Sequence, residues 1–187
     1  MERNFFRLAS AGAMRQGLYF GLWWVAGFAC VIGSFSSSLA ALLAFFFFFA
    51  APIAGGVLMA RFQRDSGWGR LSVGQLYLYG VMLYFYASVW LAVAVYVYFA
   101  FIDDGFFFSS YLAYFERPEV EALLSSPGMQ AQLEQMTGGV GLEALVGELA
   151  ATSPAVFAAS AINSNLLAGL FLALPTAWVV RYIRVTK

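Results

Sequence analysis

Four long apolar stretches without a charged residue limit what this chain can fold into. They are GLYFGLWWVAGFACVI at 17–32, LAALLAFFFFFAAPIAGGVLMA at 39–60, a run over 76–102, and one that opens SPAVFAASAINSNLL at 153 and continues to about 180. A bilayer core about 30 Å thick needs roughly 20 helical residues at 1.5 Å each. We therefore expect an all-α membrane protein with transmembrane helices over residues 14–33, 39–60, 73–102 and 154–181, in a single membrane domain. Composition agrees, since only 11% of the 187 residues are charged, against about 25% in ordinary soluble domains. So few charges could not cover a soluble globule of this size.

Net charge is zero, but the charges are sorted by position. Arg3, Arg7 and Arg15 precede the first apolar stretch, and Arg61, Arg64 and Arg70 lie between the second and third. Arg181, Arg184 and Lys187 follow the fourth. Residues 103–153 hold one basic residue, Arg117, and eight of the ten acids. Basic residues in short flanking loops mark the cytoplasmic side. Both termini are thus expected inside and the acidic segment outside. The aspartates Asp103 and Asp104 then read as the solvated outer end of helix three.

Capping chemistry fixes two boundaries. LSVGQL is a capping box in which Ser72 and Gln75 satisfy each other's backbone N–H, with Leu71 and Leu76 placed as a hydrophobic staple. Ser153 and Pro154 supply an N-cap and a proline at the first helical position of span four. Pro52 and Pro175 fall inside spans and predict kinks. Residues 1–40 also resemble a cleavable leader ending SLA. However, an apolar run of about 16 residues exceeds the 7–15 usual for such leaders, and GSFSSS suits a short hairpin turn. We read the segment as a retained span.

The acidic segment is not featureless. RPEVEALLSSPGMQAQLEQM reads as two short helices, the second starting at Pro127, and LEALVGELA as a third. Leu124, Leu145, Val146 and Leu149 fall on apolar faces opposite glutamates, so these helices are expected to lie on the membrane surface or cap the bundle. Phe106–Phe108 and Tyr111 suit the interface.

Within the spans, the most polar spot is INSN at 162–165. Asn163 and Asn165 lie about 200° apart around a helix, so they face different neighbours. Tyr84 and Tyr86 sit deeper in helix three than an interfacial belt requires and are candidate partners. Gly17 and Gly21 form a G-x-x-x-G ridge, and Asn165 with Gly169 continues a comparable small-residue face on span four; both suit close helix contact within the chain. The five phenylalanines 45–49 radiate in every direction and read as lipid contact and packing. No catalytic residue is identified. No cofactor is expected, and no metal site, because the chain has no histidine and a single cysteine, Cys30. No Asp, Glu, Lys, Arg or His lies inside the four apolar stretches, which argues against proton relays and ion-coupled pumps.

The run GWGRLSVGQLYLYGVMLYFYASVWLAVAVYVYFAFIDDGF, the following Glu/Gln-rich stretch and SPAVFAASAINSNLLAGLFLAL together resemble the domain of unknown function 4199 family, small bacterial four-span proteins. The resemblance covers roughly residues 15 to 185. It implies a four-helix integral protein of the bacterial cytoplasmic membrane and supplies no activity, cofactor or catalytic residue. The Phe-rich second span and the short outer segment depart from the pattern. From these features we expect a non-catalytic accessory or scaffold subunit, with membrane lipid and other membrane subunits or a second copy as partners and no nucleic acid. The alternative is a small transporter or flippase of an apolar or lipid-like substrate, with Asn163, Asn165, Tyr84 and Tyr86 around a cavity at the two proline kinks.

Overall fold

The computed structural model of the chain describes residues 2–66, 71–124, 128–129 and 139–182. The short helix expected from Pro127 lies outside the described residues, as do Arg70, Arg184 and Lys187. Among the described residues there are seven helices and no strand: α1 (Glu2–Gly33), α2 (Ser38–Asp65), α3 (Val73–Phe101), α4 (Phe106–Phe115), α5 (Pro118–Leu124), α6 (Leu142–Ala150) and α7 (Pro154–Tyr182). Four of them, α1 from Phe5, α2, α3 and α7, are long and apolar enough to cross a membrane.

Local chemistry explains where several elements begin. Ser72 Oγ accepts from the Gln75 N–H at 3.2 Å, and Gln75 Oε1 accepts from the Ser72 N–H at 2.9 Å. The staple residues Leu71 and Leu76 are both buried. This closes the first turn of α3 as the motif predicts. The α1–α2 hairpin turns through Ser34–Ser37, with the Ser36 and Ser37 N–H groups donating to the Gly33 carbonyl. Pro52 and Pro175 sit inside α2 and α7. A proline cannot donate to the carbonyl four residues back. Those carbonyls belong to Phe48 and Phe171, and side-chain donors reach the neighbouring carbonyls. Trp23 Nε1 donates to the Phe47 carbonyl at 3.0 Å, and Thr176 Oγ1 to the Leu172 carbonyl at 2.7 Å.

Helix α3 is the hub, packing along α7 on one side and α1 on the other, while α2 bridges α1 and α7 and meets α3 across the middle. Lipid supplies no hydrophobic drive for helices to associate, so close backbone approach and dispersion must hold the bundle. Small residues provide that approach in four-residue steps. A Cβ added at Gly17 would stand 2.6 Å from Tyr86 Cβ, and one at Gly21 2.7 Å from Trp90 Cβ, defining a parallel α1–α3 seam. A Cβ at Gly80 would stand 2.8 Å from Ala173 Cβ, and one at Gly169 2.6 Å from Tyr84 Cβ, defining an antiparallel α3–α7 seam.

Two features differ from expectation. Helix α1 runs from Glu2 and α2 to Asp65, so both extend beyond the expected spans at the basic end. There Phe5, Ala9, Ala13 and Phe62 are buried, and Phe62 stacks on Tyr79 with ring centres 3.9 Å apart. The second difference concerns Asp103, which is not a solvated helix end. It is only 5% exposed, and its Oδ1 accepts from the Phe107 N–H at 2.9 Å, capping α4. Asp104 (φ 43°) and Gly105 (φ 81°) take left-handed backbone to make the turn. Helix α4 therefore folds back against the bundle end, where Phe35 meets Phe107 edge-on at 5.4 Å.

Candidate functional site

At the acidic end, the helices bound an apolar cavity of about 440 Å³ that is open on the flank. All four long helices line it: α1 through Trp24 and Phe28, α2 through Phe47, α3 through Phe99, and α7 through Phe157 and Ala161. Phe107 and Phe108 of α4 and Leu149 of α6 complete the wall, so the two short helices lie against the cavity rather than only on the bilayer surface. The aromatic lining is mutually packed. Phe99 stands 4.7 Å from Phe157 and 5.5 Å from Phe107, ring centre to ring centre. Tilted and edge-on pairs of this kind are the arrangements aromatic rings favour.

Polar groups gather inward of this space. Asn165 is buried, and neither its Oδ1 nor its Nδ2 has a hydrogen-bond partner. The Tyr84 hydroxyl and Trp24 Nε1 are likewise buried and unpartnered. Phe20 holds the Tyr84 ring edge-on at 4.9 Å. The seam contacts fix the order of these groups along the bundle. The Gly169–Tyr84 contact carries on to set Asn165 level with Ser88, and the Gly21–Trp90 contact sets Trp24 level with residue 93. At 1.5 Å per residue, the three therefore fall within about 14 Å of axis.

The structure divides the polar residues singled out in the sequence. Asn163 is exposed on the outward side of α7, while Asn165 points inward, as their angular separation requires. Tyr84 and Tyr86 part in the same way. The Tyr86 hydroxyl pairs with Ser10 Oγ at 2.9 Å, towards the basic end of α1. Asn163 and Tyr86 thus have no place at the cavity. Gly17 and Gly21 serve the α1–α3 seam and Gly169 the α3–α7 seam, so none of the three faces a free surface. A second space, a groove of about 430 Å³, does lie at the two prolines, bounded by Pro52, Gly56, Val57, Pro175 and Val179. None of the four polar candidates lines it, because they sit on other faces of α3 and α7.

A family model described as a protein of unknown function, DUF4199, matches residues 15–182. The chain belongs to the DUF4199 family. The match takes in every residue that lines the cavity, together with both seams. No curated protein and no solved structure matches the chain. For this DUF4199 protein, the geometry alone must indicate chemistry. Among the described residues, no three His, Cys, Asp or Glu side chains group to hold a metal ion. What the arrangement offers is an apolar space, with unpartnered polar groups packed in the bundle interior beyond it.

Sequence reasoning passed over most of this DUF4199 cavity. None of Trp24, Phe28, Phe47, Phe99 and Phe157 is singled out by sequence as a cavity residue. One signal was available: Trp24, Gly27, Phe28 and Val31 recur at three- and four-residue steps, the spacing of one helix face.

Proposed function

We propose that this chain is a multi-pass protein of the bacterial cytoplasmic membrane that takes an apolar or lipid-like molecule into the aromatic cavity, as a small transporter or flippase. The observation that supports this reading is the 440 Å³ space lined by all four long helices. Its size lies within the roughly 300–1,000 Å³ of ligand pockets, and a predominantly apolar lining with few polar groups is their usual make-up. The basic end faces the cytoplasm in this reading, and the chemistry is binding and passage rather than catalysis.

Photolabelling with a diazirine-bearing alkane tests it, using the full chain in nanodiscs and mapping adducts by peptide mass. Adducts on Phe28, Val31 and Phe107 are expected, and Ala161→Phe, which fills the space, should remove them. Adducts confined to the outward side of α2, at Phe45 and Phe49, would sink the reading. Association with other membrane subunits gains nothing from the Gly17, Gly21 and Gly169 ridges, since α3 occupies them. It rests on the outward phenylalanines of α2, and co-purification from mild detergent tests it.

A further inference from the structure

A groove of about 360 Å³ lies between α1 and α2 at the basic end, away from the aromatic cavity. Leu8, Gly12, Arg15 and Gln16 line it from α1, and Phe62 and Asp65 from α2. The α1 residues recur at three- and four-residue steps, so one helix face presents them all. The seam contacts fix the depth of this groove. Gly17 meets Tyr86, which sets Arg15 level with Tyr84, eighteen residues before the Ile102 cap of α3. At 1.5 Å per residue that is about 27 Å, against a hydrocarbon core of about 30 Å. With Asp103 at one boundary, the main chain of Arg15 lies at the other. Helical side chains tilt towards the N-terminus, so the guanidinium reaches out into the phosphate layer.

Two donors in the groove are uncommitted. Arg15 makes no ion pair among the described residues, and the carboxylate of the groove, Asp65, is held by Arg64 at 3.1 Å. Gln16 is only 7% exposed, and its Oε1 accepts from the Tyr79 hydroxyl at 2.8 Å. That contact fixes the amide, whose Nε2 hydrogens meet no acceptor among the described residues. Unlike the Asn165 amide, this nitrogen is not sealed from every space a ligand could enter. Apolar surface continues from the groove towards the bilayer centre. Leu18 and Leu22 follow Arg15 on the same stripe of α1 and are 38% and 56% exposed.

We propose that this groove seats a membrane phospholipid by its phosphodiester. The Arg15 guanidinium and Gln16 Nε2 donate to the phosphate oxygens, and an acyl chain lies along Leu18 and Leu22. The site is separate from the aromatic cavity and does not rest on its occupancy. Arginine binds phosphate through a planar fork of charge-assisted hydrogen bonds, stronger than neutral ones. Basic pockets between spanning helices hold lipid headgroups by the same chemistry. Asp65 at the lip sets itself against a second negative charge, so a singly charged diester fits better than a phosphate monoester. The apolar stripe that leads on from Arg15 suits a lipid and gives nothing to a soluble phosphate.

Native mass spectrometry of the delipidated full chain in mild detergent tests this with three probes. They are dioleoyl phosphatidylglycerol, the dioleoylglycerol that lacks its headgroup, and inorganic phosphate. The phospholipid should be retained in preference to both others. Loss of the charge-assisted bonds predicts a roughly tenfold drop in that retention for Arg15→Leu. Arg61→Leu removes the same charge from a part of α2 outside the groove and should leave retention unchanged. Arg15→Lys keeps the charge without the fork and should fall between Arg15→Leu and the unaltered chain. Gln16→Glu keeps an acceptor for Tyr79 and gives Arg15 an internal carboxylate, so it too should release the lipid. Arg15 is exposed, so a circular dichroism melt of its leucine variant should match the unaltered chain and separate lost binding from lost folding. Equal losses with Arg15→Leu and Arg61→Leu would reduce the effect to overall surface charge and overturn the proposal. Dioleoylglycerol held as tightly as the phospholipid would overturn it as well, by leaving only apolar contact. Inorganic phosphate held as tightly would assign the groove to a soluble anion instead.

Discussion

Tyr79 and Tyr84 are both buried phenols on α3, five residues apart, yet their hydroxyls stand in opposite situations. Tyr79 donates to Gln16 Oε1 at 2.8 Å, whereas the Tyr84 hydroxyl has no partner. Removing one half of a buried pair strands the other half, while removing an unpaired group strands nothing. Tyr79→Phe should therefore lower stability by about 1–3 kcal/mol, and Tyr84→Phe should leave it unchanged or slightly raised. Unfolding in mild detergent, followed by circular dichroism, separates the two. Gly169→Ala belongs at the same scale. Its new methyl would stand 2.6 Å from Tyr84 Cβ, next to the main chain of α3 and so unable to swing aside. A loss of about 1–3 kcal/mol is expected, and a thermal melt in the same detergent checks it. That Asn165 faces inward and Asn163 outward was not legible beforehand. In a soluble helix, polarity reveals the buried face. Here the surrounding lipid is as apolar as the interior, and the spans are apolar all round. The sequence showed that the two amides point apart, but not which one the bundle covers.

At the scale of elements, the legible boundaries were those with their own local chemistry. The Ser72–Gln75 box and Pro154 start α3 and α7 where a first reading places them. Helix α4 escaped because its cap is a residue of the preceding helix end, and Asp103–Asp104–Gly105 reads as a solvent-facing stop. Its aromatic run suited an interface equally well. The cap is now a point of test. Asp103→Ala removes the acceptor for the Phe107 N–H, and loss of a helix cap costs about 0.5–2 kcal/mol. Hydrogen exchange should quicken across Phe106–Phe115 and stay slow through α3. Uniform quickening of both helices would assign Asp103 to the bundle as a whole. The extra turns of α1 were hidden for a different reason. Arg7, Ser10 and Arg15 make the segment look polar, while Phe5, Ala9, Ala13 and Phe20 form one buried stripe through it.

For the whole molecule, the number of spans and their connection were readable from length and hydropathy, and the cavity was not. Its wall is assembled from six helices, and no single segment carries a motif for it. Orientation is the property on which the cellular setting depends. With Cys30 replaced by Ser, single cysteines at Glu148 and at Arg64 should differ in intact cells. The first should react with a membrane-impermeant maleimide, and the second only after lysis. The reverse pattern would invert the molecule and place α4 and α6 at the cytoplasmic face.

The cavity's position also bears on how a guest of the proposed kind would be replenished. A packed interior blocks the basic half, the two short helices roof the opposite end, and Phe48 on the α2 wall is 65% exposed along the flank. On the proposed binding reading, exchange runs laterally with one leaflet. Saturation would track the guest's mole fraction among neighbouring lipids, so diluting the vesicles in buffer would not empty the protein, whereas diluting the guest with more phospholipid would.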